Sequence, residues 1–501
     1  MKTASPKVDT DLLITNDEAL RRCHTALELR DRSDYEGVRE TMHPLWKRVG
    51  EHPQVKGLEP QVVAEVLLCV GILTSWLGSR EGIEESQEVA KNLISRGITF
   101  FESAGDMYKV AASRAEIAYC YFREGALNEA RIMLTEALQK LPIEGNTRAR
   151  ALLKLTTVEW SASRYNVALS ILTDNSYLFK KVTNHTTRGN YHNEHAIVLR
   201  HLAKSDPLRK DDLLQQAIRE FKAADHHFRL AKNKVFQATV KNNLGLIFFN
   251  LSRFKDAHGY MAEARRLAVS VKDRSMIAQI DESRAQVLIA QRKLKEAEFV
   301  ARGAVRALEK SGHQCLLAEA LTSYGIALAR QGKTDQAQFN FQRAMEVARQ
   351  VDALNKAGLA ALTMIEELDD LSRTTLQCSF ERASEWLANA QSMDLVARFT
   401  TAANKVYVAL NGEVTSEEAT EALLNKPFDL HEEVLKLENA LIRNTLARVN
   451  GSVTRAAEQM GMTYQGLAYI IQSRHPKLLK ERSPVRRRAP RKGTRGQRKE
   501  P

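Results

Sequence analysis

The chain has 501 residues, too many for one hydrophobic core, so a repeat array or several domains are expected. Hydrophobic residues make up 44% and charged residues 27%, with only 11 prolines and 24 glycines, a mixture that favours helices and leaves no alternating stretch long enough for a sheet. The net charge of +13 is unevenly placed: Leu430–Pro501 carries 16 Lys and Arg against 6 Asp and Glu, which points to a polyanionic partner at one end only.

Residues 1–11 read as a disordered N-terminus, and the first twenty residues hold no apolar core of an export signal. The most membrane-like run, Val62–Gly78, contains Glu65 and falls short of the roughly 20 apolar residues a span needs, so it reads as a buried helix. Five scattered cysteines (Cys23, Cys69, Cys120, Cys315 and Cys378), with no CxxC pair, read as small buried hydrophobes in a reducing compartment and exclude a thiolate zinc site. A cytoplasmic, nucleoid-associated protein without membrane, metal or cofactor is expected.

From residue 12 to 400 the chain repeats. Ala217, Ala257, Ala297 and Ala337 are 40 residues apart, each followed seven positions later by another alanine: Ala224, Ala264, Ala304 and Ala344. Twelve positions before the last three stand Gly245, Ala285 and Gly325; Ala118, Ala130 and Ala137 form an earlier copy. Small residues at those offsets let two antiparallel helices approach closely, while Leu244, Phe248, Met261, Tyr324, Leu328 and Phe341 fill the groove between them. Polar turns Leu251–Ala257, Gln291–Ala297 and Gln331–Ala337 join the helices. Weaker copies around Val38 and Met42, Ser86 and Ala90, Ala168 and Leu172, and 359–390 extend the array to eight or nine pairs. The pattern resembles the tetratricopeptide repeat (TPR) with lengthened helices, which implies an α-solenoid whose groove takes a peptide or protein. Asn242 and Asn243 on a first helix, and Arg330, are the candidate peptide-groove residues, since amides hold a peptide backbone by paired hydrogen bonds. As ordinary polar residues of a solvated face, the three would carry no such role.

Residues 401–429 read as a linker with one short helix, capped by Thr415 and Glu418 and ended by Pro427. A new domain, 430–476, opens with an apolar stripe at Leu430, Val434, Leu437, Leu441 and Leu446. Asn450-Gly451 breaks that helix, and Ser452 caps a second one carrying Val453, Ala456, Ala457 and Met460. Gly461 then supplies a left-handed turn, Thr463 caps, and Leu467, Ile470 and Ile471 anchor a third helix ending before Pro476. Two short helices, a glycine turn and small residues at the crossing suit a unit that projects its last helix into the major groove. The run GSVTRAAEQMGMTYQGLAYII is similar to the Fis-type helix-turn-helix of Fis and NtrC-like activators, with Gly451, Thr454, Ala456, Ala457, Gly461 and Leu467 in the family's pattern. The resemblance implies a homodimer on palindromic DNA, with the helix before the turn contributing to the dimer. It differs in its third helix, which lacks the usual Arg and Lys.

Candidate DNA-binding residues are Ser452, Thr454, Arg455, Thr463, Tyr464, Gln465, Tyr469, Gln472 and Arg474 of the helix-turn-helix. Arg486, Arg487 and Arg488 join them from a disordered basic tail, 477–501, with 11 basic and 2 acidic residues. The expected fold is therefore all-α: a TPR-like solenoid, a small helix-turn-helix domain and a basic tail. The expected function is a DNA-binding transcriptional regulator; the alternative is an interaction scaffold whose last domain dimerises and whose tail binds RNA or ribosomes. No enzyme is expected. Ala327–Thr334 lacks the first glycine of a phosphate-binding loop, His192, Glu194 and His195 are spaced one residue short of a zinc metalloprotease helix, and adjacent His226 and His227 point to different helix faces.

Overall fold

The computed structural model describes residues 14–206, 208–387, 393–411, 430–449 and 451–481, and the described elements are helical without a strand. Two compact units emerge, residues 1–410 and 411–501. The expected disorder of 1–11, the short helix within 412–429 and the tail beyond Glu481 lie outside the described residues.

Among the described residues the first unit is a succession of nine antiparallel helix pairs, from Asn16–Asp31 with Tyr35–Met42 to Leu354–Glu367 with Arg373–Trp386, with a short helix, Ser176–Lys181, between the fourth and fifth pairs and a further helix, Met393–Asn411, after the last. The recurring small residues sit where the helices touch: Ala217, Ala224, Ala257, Ala264, Ala297, Ala337 and Ala344 are fully buried. At Gly245 and Gly325 a Cβ would come within 2.7 Å of Met261 and 2.8 Å of Phe341, so glycine admits those large side chains. Phe341, Met261, Leu244, Leu328 and Phe248 lie buried in the groove, whereas Tyr324 is only partly covered.

The turns have a stricter period than the helices. Lys232, Ser252, Lys272, Arg292, Gly312, Gly332 and Asp352 all have positive φ and stand 20 residues apart. The next residue's N–H commonly reaches back to a carbonyl five residues earlier, as in Arg253 to Phe248 (2.8 Å), Lys293 to Leu288 (2.9 Å) and Lys333 to Leu328 (3.1 Å). This Schellman closure satisfies the last carbonyls of each helix and re-aims the chain. Asn233 and Asp273 then cap the following helix, accepting from the Phe236 and Met276 amides.

The apolar run at residues 62–78 belongs to a longer helix, Pro60–Glu81, whose Val62, Val66, Val70, Leu73 and Leu77 are buried in the N-terminal core. It is the one described helix long and apolar enough to cross a membrane, and two thirds of its apolar window is buried within the protein. Cys23, Cys69 and Cys120 are buried as expected, but Cys315 and Cys378 are exposed, because each sits on the outward side of its helix. The expected linker start at 401 falls inside the helix Met393–Asn411, where Ala402 and Val406 still pack into the core of the last pairs.

Candidate nucleic-acid interface

The second unit is built around a small apolar core: Ile442 and Leu446 from the helix Leu430–Arg448, Val449 just after it, Ala456 and Ala457 from Val453–Gln459, and Leu467 and Ile471 from Tyr464–Ser473. Leu441, placed in the sequence stripe, is 53% exposed; the inward face is the one carrying Ile442. Gly451 and Gly461 both have positive φ, and the Met462 N–H closes the second turn on the Ala457 carbonyl at 2.9 Å. Ser452 Oγ accepts from the Arg455 amide at 3.5 Å and Thr463 Oγ1 from the Gly466 amide at 3.1 Å. Both residues therefore spend their hydroxyls on helix capping.

The core-facing side of the third helix fixes what its other side presents. Gln465, Tyr469 and Gln472 follow the four- and three-residue spacing of one face, and all three are exposed, Tyr469 by 69%. Tyr464 is exposed at the helix start, and Thr454 and Arg455 are exposed on the preceding helix. Arg474 points elsewhere: it pairs with Glu438 of the first helix at 3.2 Å. The same carboxylate accepts from Nε2 of buried His475 at 2.9 Å, while the Asn439 amide donates to Nδ1 at 3.2 Å, which assigns the ring proton to Nε2. This Glu438–His475–Asn439 cluster locks the end of the third helix to the first; the residues are 36 to 37 positions apart and form no motif.

The expected tail start at 477 is too early. Pro476–Glu481 forms a 3-10 turn, and Leu478 is fully buried, because two leucines among the lysines find room under the first helix. Arg486, Arg487 and Arg488 lie outside the described residues.

Residues 435–472 match the family model of the bacterial regulatory protein, Fis family. The C-terminal unit is a Fis-type helix-turn-helix. Its match covers only this small part of the chain. A search of curated proteins found no match. Solved structures similar in their helical arrays include a signal-transduction ATPase with numerous domains and a tetratricopeptide repeat sensor from Pyrococcus horikoshii, at 12% identity and TM-score 0.49. That likeness covers 74% of this chain and 55% of the other. A Rap protein complexed with competence and sporulation factor is similar at 14% identity and TM-score 0.46, over 69% of this chain and 96% of that one. The human IFIT1 dimer with PPP-AAAA aligns at 13% identity and TM-score 0.45, over 66% and 73%.

Each candidate groove residue of the array makes a contact within the protein, although Asn242 Oδ1 is buried without a described donor. Asn242 is buried and donates to Ser283 Oγ at 3.2 Å, and Asn243 accepts from Arg200 at 3.3 Å. Arg330 is held by two bonds to Glu367, of 2.8 and 2.6 Å, on the rim of a cavity of about 430 Å³ that neither asparagine lines. Around the near-miss zinc motif, Glu194 accepts from Trp160 and Thr157, while His192 and His195 share Glu220. Burial raises the Glu220 carboxyl, but those two histidines outweigh it and hold it at about 2. Among the described residues no group of three or more His, Cys, Asp or Glu is placed to hold a metal ion.

Proposed function

We propose that this protein is a non-enzymatic, cytoplasmic transcriptional regulator in which the Fis-type unit reads DNA and the helical array receives a peptide or protein partner. The observation that carries the reading is the outward face Gln465, Tyr469 and Gln472 on the helix that follows the glycine turn. Glutamine pairs bidentately with adenine, and tyrosine reaches phosphate or a thymine methyl. The basic segment after Glu481 supplies the positive charge that this face lacks, acting on phosphates irrespective of sequence. Exposed Leu441 on the first helix supports a homodimer through that helix.

Two changes in the full chain separate these roles. Truncation after Glu481 should weaken binding to all duplexes alike and flatten the salt dependence; if the arm makes eight phosphate contacts, log affinity falls with log salt at a slope of about −7 while it is present. Replacing Gln465, Tyr469 and Gln472 together by alanine should instead erase the difference between target and random duplex. A second reading, a dimerising scaffold with an RNA- or ribosome-binding tail, is favoured by the absence of Lys and Arg from Tyr464–Ser473. It requires that the triple variant bind nucleic acid as the parent does.

A further inference from the structure

In a simple solenoid each repeat touches only its neighbours. Here the first two pairs also meet helices that lie far along the chain. The Asp31 carbonyl accepts from Thr186 Oγ1 at 3.0 Å and from Asn233 Nδ2 at 2.9 Å, the same Nδ2 reaches Ser33 Oγ at 3.1 Å, and Arg80 pairs with Asp273 at 3.2 Å. The first superhelical turn is thus closed. A cavity of about 260 Å³ remains inside it, walled by the first helices of the first six pairs and by Ile94 from the second helix of the second pair.

Its lining is charged and out of balance. Arg30, Arg123, Arg150 and Lys154 face Asp31, Glu116 and Glu194. Asp31 pairs with both Arg30 and Arg150, and Glu116 with Lys154 at 2.6 Å. Burial raises the Glu194 carboxyl above its ordinary range despite hydrogen bonds from Trp160, Thr157 and Asn193, which weakens it as a counter-charge. The cations also crowd one another: burial lowers Arg150, and the Arg30 charge lowers it further. Arg123 has no carboxylate among the described ion pairs; it donates to Ser75 Oγ at 2.7 Å and lies 4.9 Å from the Tyr119 ring centre. Elsewhere in the same wall, Asn193 Oδ1 is a buried acceptor without a described donor. Ile72, Trp76, Leu153 and Phe236 complete the wall.

We infer that this cavity binds a small organic monocarboxylate with an apolar body and one hydrogen-bond donor, the carboxylate on Arg123 and the donor on Asn193. Desolvated cations in excess of their counter-ions are stabilised by an anion, and a charged hydrogen bond in such a site is stronger than a neutral one. Because the wall joins Arg30 at the N-terminus to helices up to Phe236, an occupant also braces the closed turn. The inference rests on the reading of the array as the receiving module and is independent of DNA recognition.

The test is calorimetric titration of the full chain with N-acetylphenylalanine and with the tripeptide Ala-Ala-Phe, each as free acid and as C-terminal amide. At least one acid should bind saturably with about tenfold or greater advantage over its amide, the scale of one charged hydrogen bond. Binding of both acids identifies a small metabolite-like carboxylate; binding of the tripeptide acid alone identifies a peptide terminus. Arg123→Gln should level acid and amide, whereas Arg123→Lys should keep the preference and so report on any loss of folding. Absence of saturable binding by either acid at millimolar concentration, or an acid preference that survives Arg123→Gln, overturns the inference. Neither result bears on duplex binding, which a gel shift of the same protein reads separately.

Discussion

Alanine at Gly325 and alanine at Gly303 should move stability in opposite directions, although both glycines lie inside helices. At Gly303, on Leu294–Glu309, an added Cβ meets nothing within 4 Å. Removing glycine there should stabilise by about 0.5–1 kcal/mol through backbone entropy alone. At Gly325 the added Cβ lies 2.8, 2.9 and 3.0 Å from three ring atoms of fully buried Phe341, itself surrounded by the core of the last pairs. The same entropic gain of about 1 kcal/mol is then set against an overpacking penalty of about 1–3 kcal/mol, giving no gain or a loss of up to about 2 kcal/mol. Urea denaturation of the full chain, followed by circular dichroism, measures both variants, and amide exchange within Gln314–Ala329 localises the effect, since repeat arrays open in segments. A Gly325→Ala midpoint that rises as much as that of Gly303→Ala would refute the close helix approach on which the array is built.

Three further outcomes follow from the same geometry. Glu438→Ala should loosen the helix-turn-helix by about 1–3 kcal/mol, because buried His475 loses its acceptor, while releasing Arg474 to strengthen non-specific DNA association at low salt; an unchanged thermal transition of that unit contradicts the cluster's role. Burial, with the charges of His192, Arg188, His185 and His226, lowers His227 to about 4, and burial with Arg200 and Lys204 does the same to His201. Both depressed histidines favour the folded array above pH 6.5, so its stability should decline as pH falls from there towards 4, and a flat profile over that window excludes them as its titrating groups. Gln465→Ala alone should lower discrimination at one base position by about 1–3 kcal/mol and leave non-specific binding intact, as competition gel shifts would show.

The array was legible in the sequence because its constraint is steric and periodic: only very small side chains fit at Ala217, Ala257, Ala297 and Ala337, so the chain repeats them. The turns, though more strictly periodic, were hidden. Lys232, Ser252, Lys272, Arg292 and Asp352 adopt the left-handed conformation that glycine takes at Gly312 and Gly332, so residue type does not mark the position. Closure of the first superhelical turn was also invisible, because it joins Asp31 to Asn233 through a backbone carbonyl, which any residue supplies. In the helix-turn-helix, Gly461, Ser452 and Thr463 announced their roles through turn and cap chemistry. The buried stripe was assigned one residue off at Leu441, because neighbouring Ile442 is equally apolar and only packing selects between them. Arg474 read as a DNA contact from its charge and place; its pairing with Glu438 depends on how the third helix crosses the first.

The central claim, that the helix Tyr464–Ser473 reads duplex DNA, is tested most directly by selection from randomised duplexes with the full chain and, in parallel, with Gln465, Tyr469 and Gln472 replaced by alanine. The parent should enrich a recurring sequence, and the variant should retain binding but enrich none. Enrichment of the same sequence by both, or of none by the parent, would contradict it.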